Sequence, residues 1–111
     1  MKMNDYQFDL ISRQLQNLPH TSPFYREKLK GYNPAAVKSQ ADFEQLPFSD
    51  KAELREAYPL GLQAVPDEQI VRIHSSSGTT GTPVIIPYTR QDIEDWAIMF
   101  ERCYLMAGLT P

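Results

Sequence analysis

The chain of 111 residues has one cysteine, Cys103, and so cannot close an internal disulfide. Without a disulfide framework, nothing in its cysteine usage points to secretion. Its first residues, Met1-Lys2-Met3-Asn4-Asp5-Tyr6, lack an apolar stretch of signal-peptide length. No run approaches the roughly 20 apolar residues of a membrane span. The chain also lacks an excess of positive charge: 14 acidic residues face 11 basic ones, for a net charge of -3. A nucleic-acid binder normally carries a basic face, so that partner class is not expected. Two histidines and one cysteine, with no close pairing, make no zinc motif. No metal site is expected within the chain. These absences describe a cytoplasmic protein with neither a membrane nor a nucleic-acid partner.

What is present is globular in composition, with 41% hydrophobic residues. The first 69 residues read as helical. Tyr6, Phe8, Leu10, Ile11, Leu15 and Leu18 are the apolar members of a helix predicted from Asp5 to Leu18, and most of them fall on one broad stripe. Asn17-Leu18-Pro19-His20 is expected to break it. Ser22 before Pro23 predicts a hydroxyl cap and a helix over Pro23–Lys30, closed at Gly31. Ser39 and Asp42 form a capping pattern for a helix to about Leu46. Ser49 is the expected cap of a helix over Lys51–Ala57, ended by Pro59. The charged run Asp50-Lys51 and Glu53-Leu54-Arg55-Glu56 is expected to be a solvated helix face without function.

The character changes at residue 70. Ile70–His74 and Val84–Ile86 are rich in β-branched residues and predict two antiparallel strands. Thr89 and Asp92 repeat the capping pattern, and a long helix is expected from Arg90 to about Ala107, stopped at Gly108. Ile93, Trp96, Ala97, Phe100, Tyr104 and Ala107 line one face of it. Trp96, Phe100 and Tyr104 are expected in the core, with Cys103 a small buried hydrophobe. His74 reads as a satisfied strand-end histidine, and His20 carries no signal. The expected fold class is α/β and α-rich: a helical segment over 1–69, then a hairpin and long helix over 70–111. Two strands alone are marginally stable, so 70–111 reads as the start of an incomplete α/β domain.

Between the strands, Ser75–Thr82 holds three serines, three threonines and two glycines in eight positions. Gly78 and Gly81 can take positive φ and turn successive amides toward one point, which makes an anion-binding concavity. The hydroxyls of Ser76, Ser77, Thr79 and Thr80 add donors without charge. Composition alone also allows a flexible polar connection with no ligand. A Walker A loop is excluded, because the second glycine is followed by Thr82-Pro83 and a strand rather than Lys and a helix.

The run Arg72-Ile73-His74-Ser75-Ser76-Ser77-Gly78-Thr79-Thr80-Gly81-Thr82-Pro83 closely resembles the first nucleotide-binding motif of the phenylacetate–CoA ligases, within the adenylate-forming superfamily. Four further blocks resemble the same family, in the same order. They are Ser22-Pro23-Phe24-Tyr25-Arg26, Leu46-Pro47-Phe48-Ser49-Asp50-Lys51, Tyr58-Pro59-Leu60-Gly61-Leu62 and Tyr88-Thr89-Arg90-Gln91-Asp92-Ile93. The resemblance covers nearly the whole chain and implies an N-terminal fragment of such a ligase. It implies use of ATP, Mg2+ and coenzyme A to convert an aryl or other small carboxylic acid, phenylacetate-like, into its CoA thioester through an acyl-adenylate.

Carried over by position, Ser76, Ser77, Gly78, Thr79, Thr80 and Gly81 would hold the β- and γ-phosphates, with Thr80 the hydroxyl of most consequence. Many family members have lysine after the last glycine; this chain has Thr82, and so lacks a positive charge near the phosphates. The family's adenine and ribose motifs, acidic magnesium ligand and late catalytic lysine lie beyond position 111. No catalytic residue is therefore expected in this fragment, which should be inactive alone and should associate with itself. Two other readings stand beside this one. The first is a truncated stand-alone protein that binds or self-associates without catalysis. The second is a free-standing nucleotide-binding module, which would have no pocket for adenine or ribose.

Overall fold

A computed structural model describes residues 3–76 and 81–109. In chain order it has α1 (Asp5–Thr21), α2 (Pro23–Lys28), a 3-10 turn (Pro34–Ala36), α3 (Gln40–Phe43), α4 (Lys51–Glu56), a 3-10 turn (Asp67–Gln69), β1 (Ile70–Ser75), β2 (Ile85–Thr89) and α5 (Arg90–Met106). The fold is mixed α/β and rich in helix, as the sequence pattern predicts.

The helix starts are set by side chains that satisfy the first free amides. Asn4 accepts from the Gln7 amide at 2.8 Å, and the Gln7 side chain accepts from the Asn4 amide at 3.1 Å, a reciprocal cap that the sequence reading missed. α1 also runs past its predicted break. Pro19 lies inside the helix, and the chain stays helical beyond it to Thr21, where the Ser22 amide still bonds Leu18 O at 2.9 Å. α4 is capped by Asp50 rather than Ser49: Asp50 accepts from the Glu53 amide at 2.9 Å, and Glu53 accepts from the Asp50 amide at 3.0 Å. A carboxylate is the better acceptor at a helix start, which favours Asp50 over the neighbouring hydroxyl.

Ser22 stands at the predicted cap of α2, but its hydroxyl makes no capping bond. It is fully buried and donates to Gly61 O at 3.1 Å, 39 residues downstream. The Phe24 amide donates to the same carbonyl at 3.0 Å. Gly61 thus joins α2 to the segment after α4. A side chain is excluded there, because a Cβ would lie 2.7 Å from Ala57 O. The expected solvated face holds for Asp50, Lys51 and Glu56 but not for the middle of α4. Glu53, Leu54 and Arg55 are half-buried, and Glu53 forms an ion pair with Lys28 of α2.

Leu15, Leu29 and Val37 form a small core, flanked by Phe8, Ile11, Tyr25, Phe43 and Leu46. The radius of gyration is 16.2 Å, against about 13 Å for a compact domain of this length. The difference is physical: the hairpin and α5 stand apart from that core.

Two predictions follow from these joints. Gly61→Ala should destabilise the chain by about 1–3 kcal/mol in urea denaturation, since overpacking against backbone cannot relax by a rotamer change. The second concerns pH. The Lys28 side chain, and then the Asp50 amide, hold the Glu53 carboxyl below its ordinary value. A depressed folded-state pKa stabilises above the unfolded value and is lost as pH falls through the folded one. The urea midpoints of wild type and Glu53→Gln should therefore differ at pH 7 and converge on acidification below about 4, the ordinary carboxylate range.

Candidate functional site

The hairpin pairs Arg72 with Tyr88, Ile73 with Pro87, His74 with Ile86 and Ser75 with Ile85, after an irregularity between Ile70 and Arg72. Alternation along the strands puts Arg72, His74, Ile86 and Tyr88 on one face. α5 packs chiefly against β2. The rings of His74 and Tyr88 lie 4.9 Å apart, His74 meets Trp96 edge-on at 5.2 Å, and Tyr88 stacks on Trp96 at 5.9 Å. This trio pins the start of α5 beneath the base of the loop. His74 is half-buried and fills that packing role at the strand end.

The start of α5 is fixed by Thr89. Its amide and hydroxyl donate to Asp92 Oδ2 at 2.7 and 2.8 Å, and its hydroxyl accepts from the Asp92 amide at 3.2 Å. The predicted capping pattern is the observed one.

At the other end of the ladder, the Ser76 amide donates to Val84 O at 2.9 Å. The Val84 amide donates to the Ser76 hydroxyl at 3.0 Å. β2 begins at Ile85, and Val84, predicted as its first residue, is held outside the ladder by this side chain. Val84 is buried, at 7% exposure, so its amide needs a partner. Gly81 takes φ 88°, the left-handed conformation the sequence reading expected of it, and a Cβ there would meet nothing within 4 Å. Thr82 is exposed beside it. Of the six predicted phosphate-binding residues, Ser76 and Gly81 are thus placed at the two ends of the loop. Ser77, Gly78, Thr79 and Thr80 lie outside the described residues.

The predicted burial on α5 does not hold. Trp96, Phe100 and Tyr104 are 38, 45 and 55% exposed, and Cys103 is exposed too. The three aromatics still form a continuous row, with ring centroids 5.5 and 6.2 Å apart. Met99, Leu105 and Met106 are exposed on the same helix, and Val71 and Ile73 on the hairpin. The reason is geometric. A two-stranded sheet reaches only the first turns of a 17-residue helix, and among the described residues no third strand extends it. Nor, among the described residues, do three His, Cys, Asp or Glu side chains gather into a metal cluster. No helix there is long and apolar enough to cross a membrane.

The aromatic trio and the Ser76–Val84 pairing are what sequence reasoning overlooked. The signal for both was the strand alternation itself, which sets Arg72, His74 and Ser76 on one side.

No family model matches the chain. A solved structure does: a 2-hydroxyisobutyryl-CoA ligase in complex with 2-HIB-AMP and CoA in the thioesterification state. It is 33% identical, with a TM-score of 0.64 over 82% of this chain and 22% of its own. The helices, hairpin and long helix therefore match the N-terminal region of that acyl-CoA ligase. Three phenylacetate-coenzyme A ligases resemble the chain more closely in sequence. That of Aromatoleum evansii is 43% identical over 100 residues, 88% of this chain and 22% of the relative. That of Thermus thermophilus is 37% identical over 112 residues, 99% and 25%. That of Escherichia coli K12 is 43% identical over 91 residues, 80% and 21%. Over nearly its whole length the chain is similar to phenylacetate-coenzyme A ligases, and it spans about a quarter of the length of the relatives it matches.

Because the cap of α5 ties that helix to the ladder, Thr89→Ala should cost about 1 kcal/mol, read from the chemical denaturation midpoint. A Thr89→Ser variant, which keeps the hydroxyl, should lose far less.

Proposed function

We propose that this chain forms the triphosphate-holding part of an ATP-dependent acid–CoA ligase acting on an aryl or other small carboxylic acid, phenylacetate-like. The observation that carries this reading is a Ser/Thr/Gly segment closed at the mouth of a hairpin, in a chain up to 43% identical to phenylacetate-coenzyme A ligases. In the reaction, a carboxylate oxygen attacks the α-phosphorus of ATP and pyrophosphate leaves. The thiol of coenzyme A then attacks the acyl carbon, loses its proton, and AMP leaves. The loop's work is to hold and orient the β- and γ-phosphates with amide and hydroxyl donors, among them Ser77, Gly78, Thr79 and Thr80. Fixed donors aimed at developing charge are the main protein contribution to such transfers.

Two features support the fit of a phosphate group: the left-handed Gly81 at one end of the loop and the hydroxyl of Ser76 at the other. Among the described residues no three His, Cys, Asp or Glu side chains gather into a metal site, so Mg2+ would be held chiefly by the ATP phosphates. Residues 1–69 serve as a helical support and 70–111 as the phosphate-binding segment. Use of ATP and coenzyme A favours the cytoplasm, as does the lone thiol. As an isolated polypeptide the chain has no turnover and associates with itself, because the aromatic row of α5 and both outer edges of the hairpin are uncovered.

The test uses the Thermus thermophilus ligase with its matching segment replaced by this chain. The chimera should form phenylacetyl-CoA with release of AMP. Thr80→Ala should lower its kcat/KM for ATP by about 100–1000-fold, as loss of one transition-state donor does. The isolated chain should form no thioester and should elute in size-exclusion chromatography with light scattering as more than a monomer. A folded chimera that turns over equally well with Thr80→Ala would remove the phosphate role.

A further inference from the structure

The small core of the helical half leaves a hollow beside it. Between α1, α2 and the segment that joins α3 to α4 lies a half-open cavity of about 470 Å³, with Leu15, Leu18, Leu29, Phe43 and Leu46 among its walls. Ligand pockets span about 300–1,000 Å³ and are mostly apolar. The charged groups at its edge are already engaged. Lys28 is ion-paired with Glu53, and Glu44 accepts from the Gln40 side chain at 2.8 Å.

Phe48 lines the same cavity, yet it is 93% exposed, more than any other large hydrophobic side chain among the described residues. Its ring therefore stands at the rim with most of its surface in water. The chain is anchored on both sides of it. The Leu46 amide donates to Phe43 O at 3.1 Å, and the Asp50 amide donates to the Glu53 carboxylate at 3.0 Å. Pro47, Phe48 and Ser49 form a short strap between these two fixed points.

We propose that this cavity is a binding site for a small neutral aromatic molecule, with Phe48 as the lid that closes over it. The guest is neutral because the nearby charges are paired, so an ion would lose its hydration and gain no partner. It is aromatic because Tyr25, Phe43 and Phe48 can meet a ring edge-on or offset, and such pairs gain more than their buried area alone. Closure also removes the Phe48 ring from water. The site draws on residues 11–49 and stands apart from the hairpin and its phosphate role. No covalent step is involved.

The test is a titration of this chain with benzene, followed on its methyl signals by NMR. The methyls of Leu15, Leu18 and Leu29 should shift together and saturate, with benzene protons showing contacts to them and to the Phe48 ring. The exposed methyls of Val71, Ile73 and Ile98 should stay still at the same concentrations. Phe48→Ala should weaken binding by about tenfold, the worth of one ring's cover, with the same methyls responding. Phenylacetate and benzylammonium should need a concentration about tenfold higher or more, because each carries a charge. Absence of any shift at Leu15, Leu18 and Leu29 would overturn the proposal. So would equal shifts at Ile98, which mean adhesion to exposed surface, or contacts between the Phe48 ring and these leucines in the free chain, which mean that Phe48 fills the hollow itself. Equal affinity in Phe48→Ala removes the lid, and tighter binding of phenylacetate than of benzene removes the neutral class.

Discussion

The ladder between Ile70–Ser75 and Ile85–Thr89 is the constraint on which the site depends. Its register sets His74 and Tyr88 on the face that receives Trp96, and so decides where α5 lies. Its last residue, Thr89, is also the cap of α5, so strand and helix share one fixed joint. At the other end its pairing stops between Ser75 and Ile85, and the Ser76 hydroxyl takes over from the backbone. The segment of small polar residues between the strands is thus held together where it leaves the ladder, by the Ser76–Val84 pair. Each hydrogen bond is modest on its own, at about 1 kcal/mol net. They matter because they fix geometry, and a site that works by positioning donors needs geometry more than strength.

The helical half solves a different problem. Its core is three buried side chains with five half-buried neighbours, too little to rely on apolar burial alone. It is joined instead by polar contacts over long sequence separations. The Gly61 carbonyl receives Ser22 and Phe24, and Glu53 links its own cap at Asp50 to Lys28. Two of these joints fall in blocks that resemble the ligase family, around Ser22 and Gly61. What the resemblance marks there is packing rather than chemistry.

Much of this was legible in the sequence, for reasons that differ by residue. The strands, their antiparallel sense and the start of α5 follow from local rules: β-branched runs, a glycine-rich connection, and Thr89 three residues before Asp92. The misses came where a local rule admits two outcomes. A hydroxyl before a proline can cap a helix or reach across the fold, and Ser22 reaches to Gly61. Either Ser49 or Asp50 could cap α4, and the carboxylate prevails. A proline disfavours helix without forbidding it, and α1 continues past Pro19 to Thr21. The burial expected for Trp96, Phe100, Cys103 and Tyr104 failed for another reason. Helical periodicity tells which face is apolar but not whether an element lies against it, and among the described residues only the first turns of α5 are covered.

The central claim is that this hairpin carries the phosphate loop of an adenylating ligase. Phenylacetate-dependent exchange of labelled pyrophosphate into ATP tests it most directly, because that exchange isolates the first half-reaction and needs no coenzyme A. It is measured on the Thermus thermophilus ligase carrying this chain in place of its own matching segment. The account predicts exchange that requires the acid and falls steeply when the Ser77–Thr80 hydroxyls are removed together. A chimera that melts cooperatively and binds coenzyme A, yet exchanges no pyrophosphate with the loop intact, would contradict it.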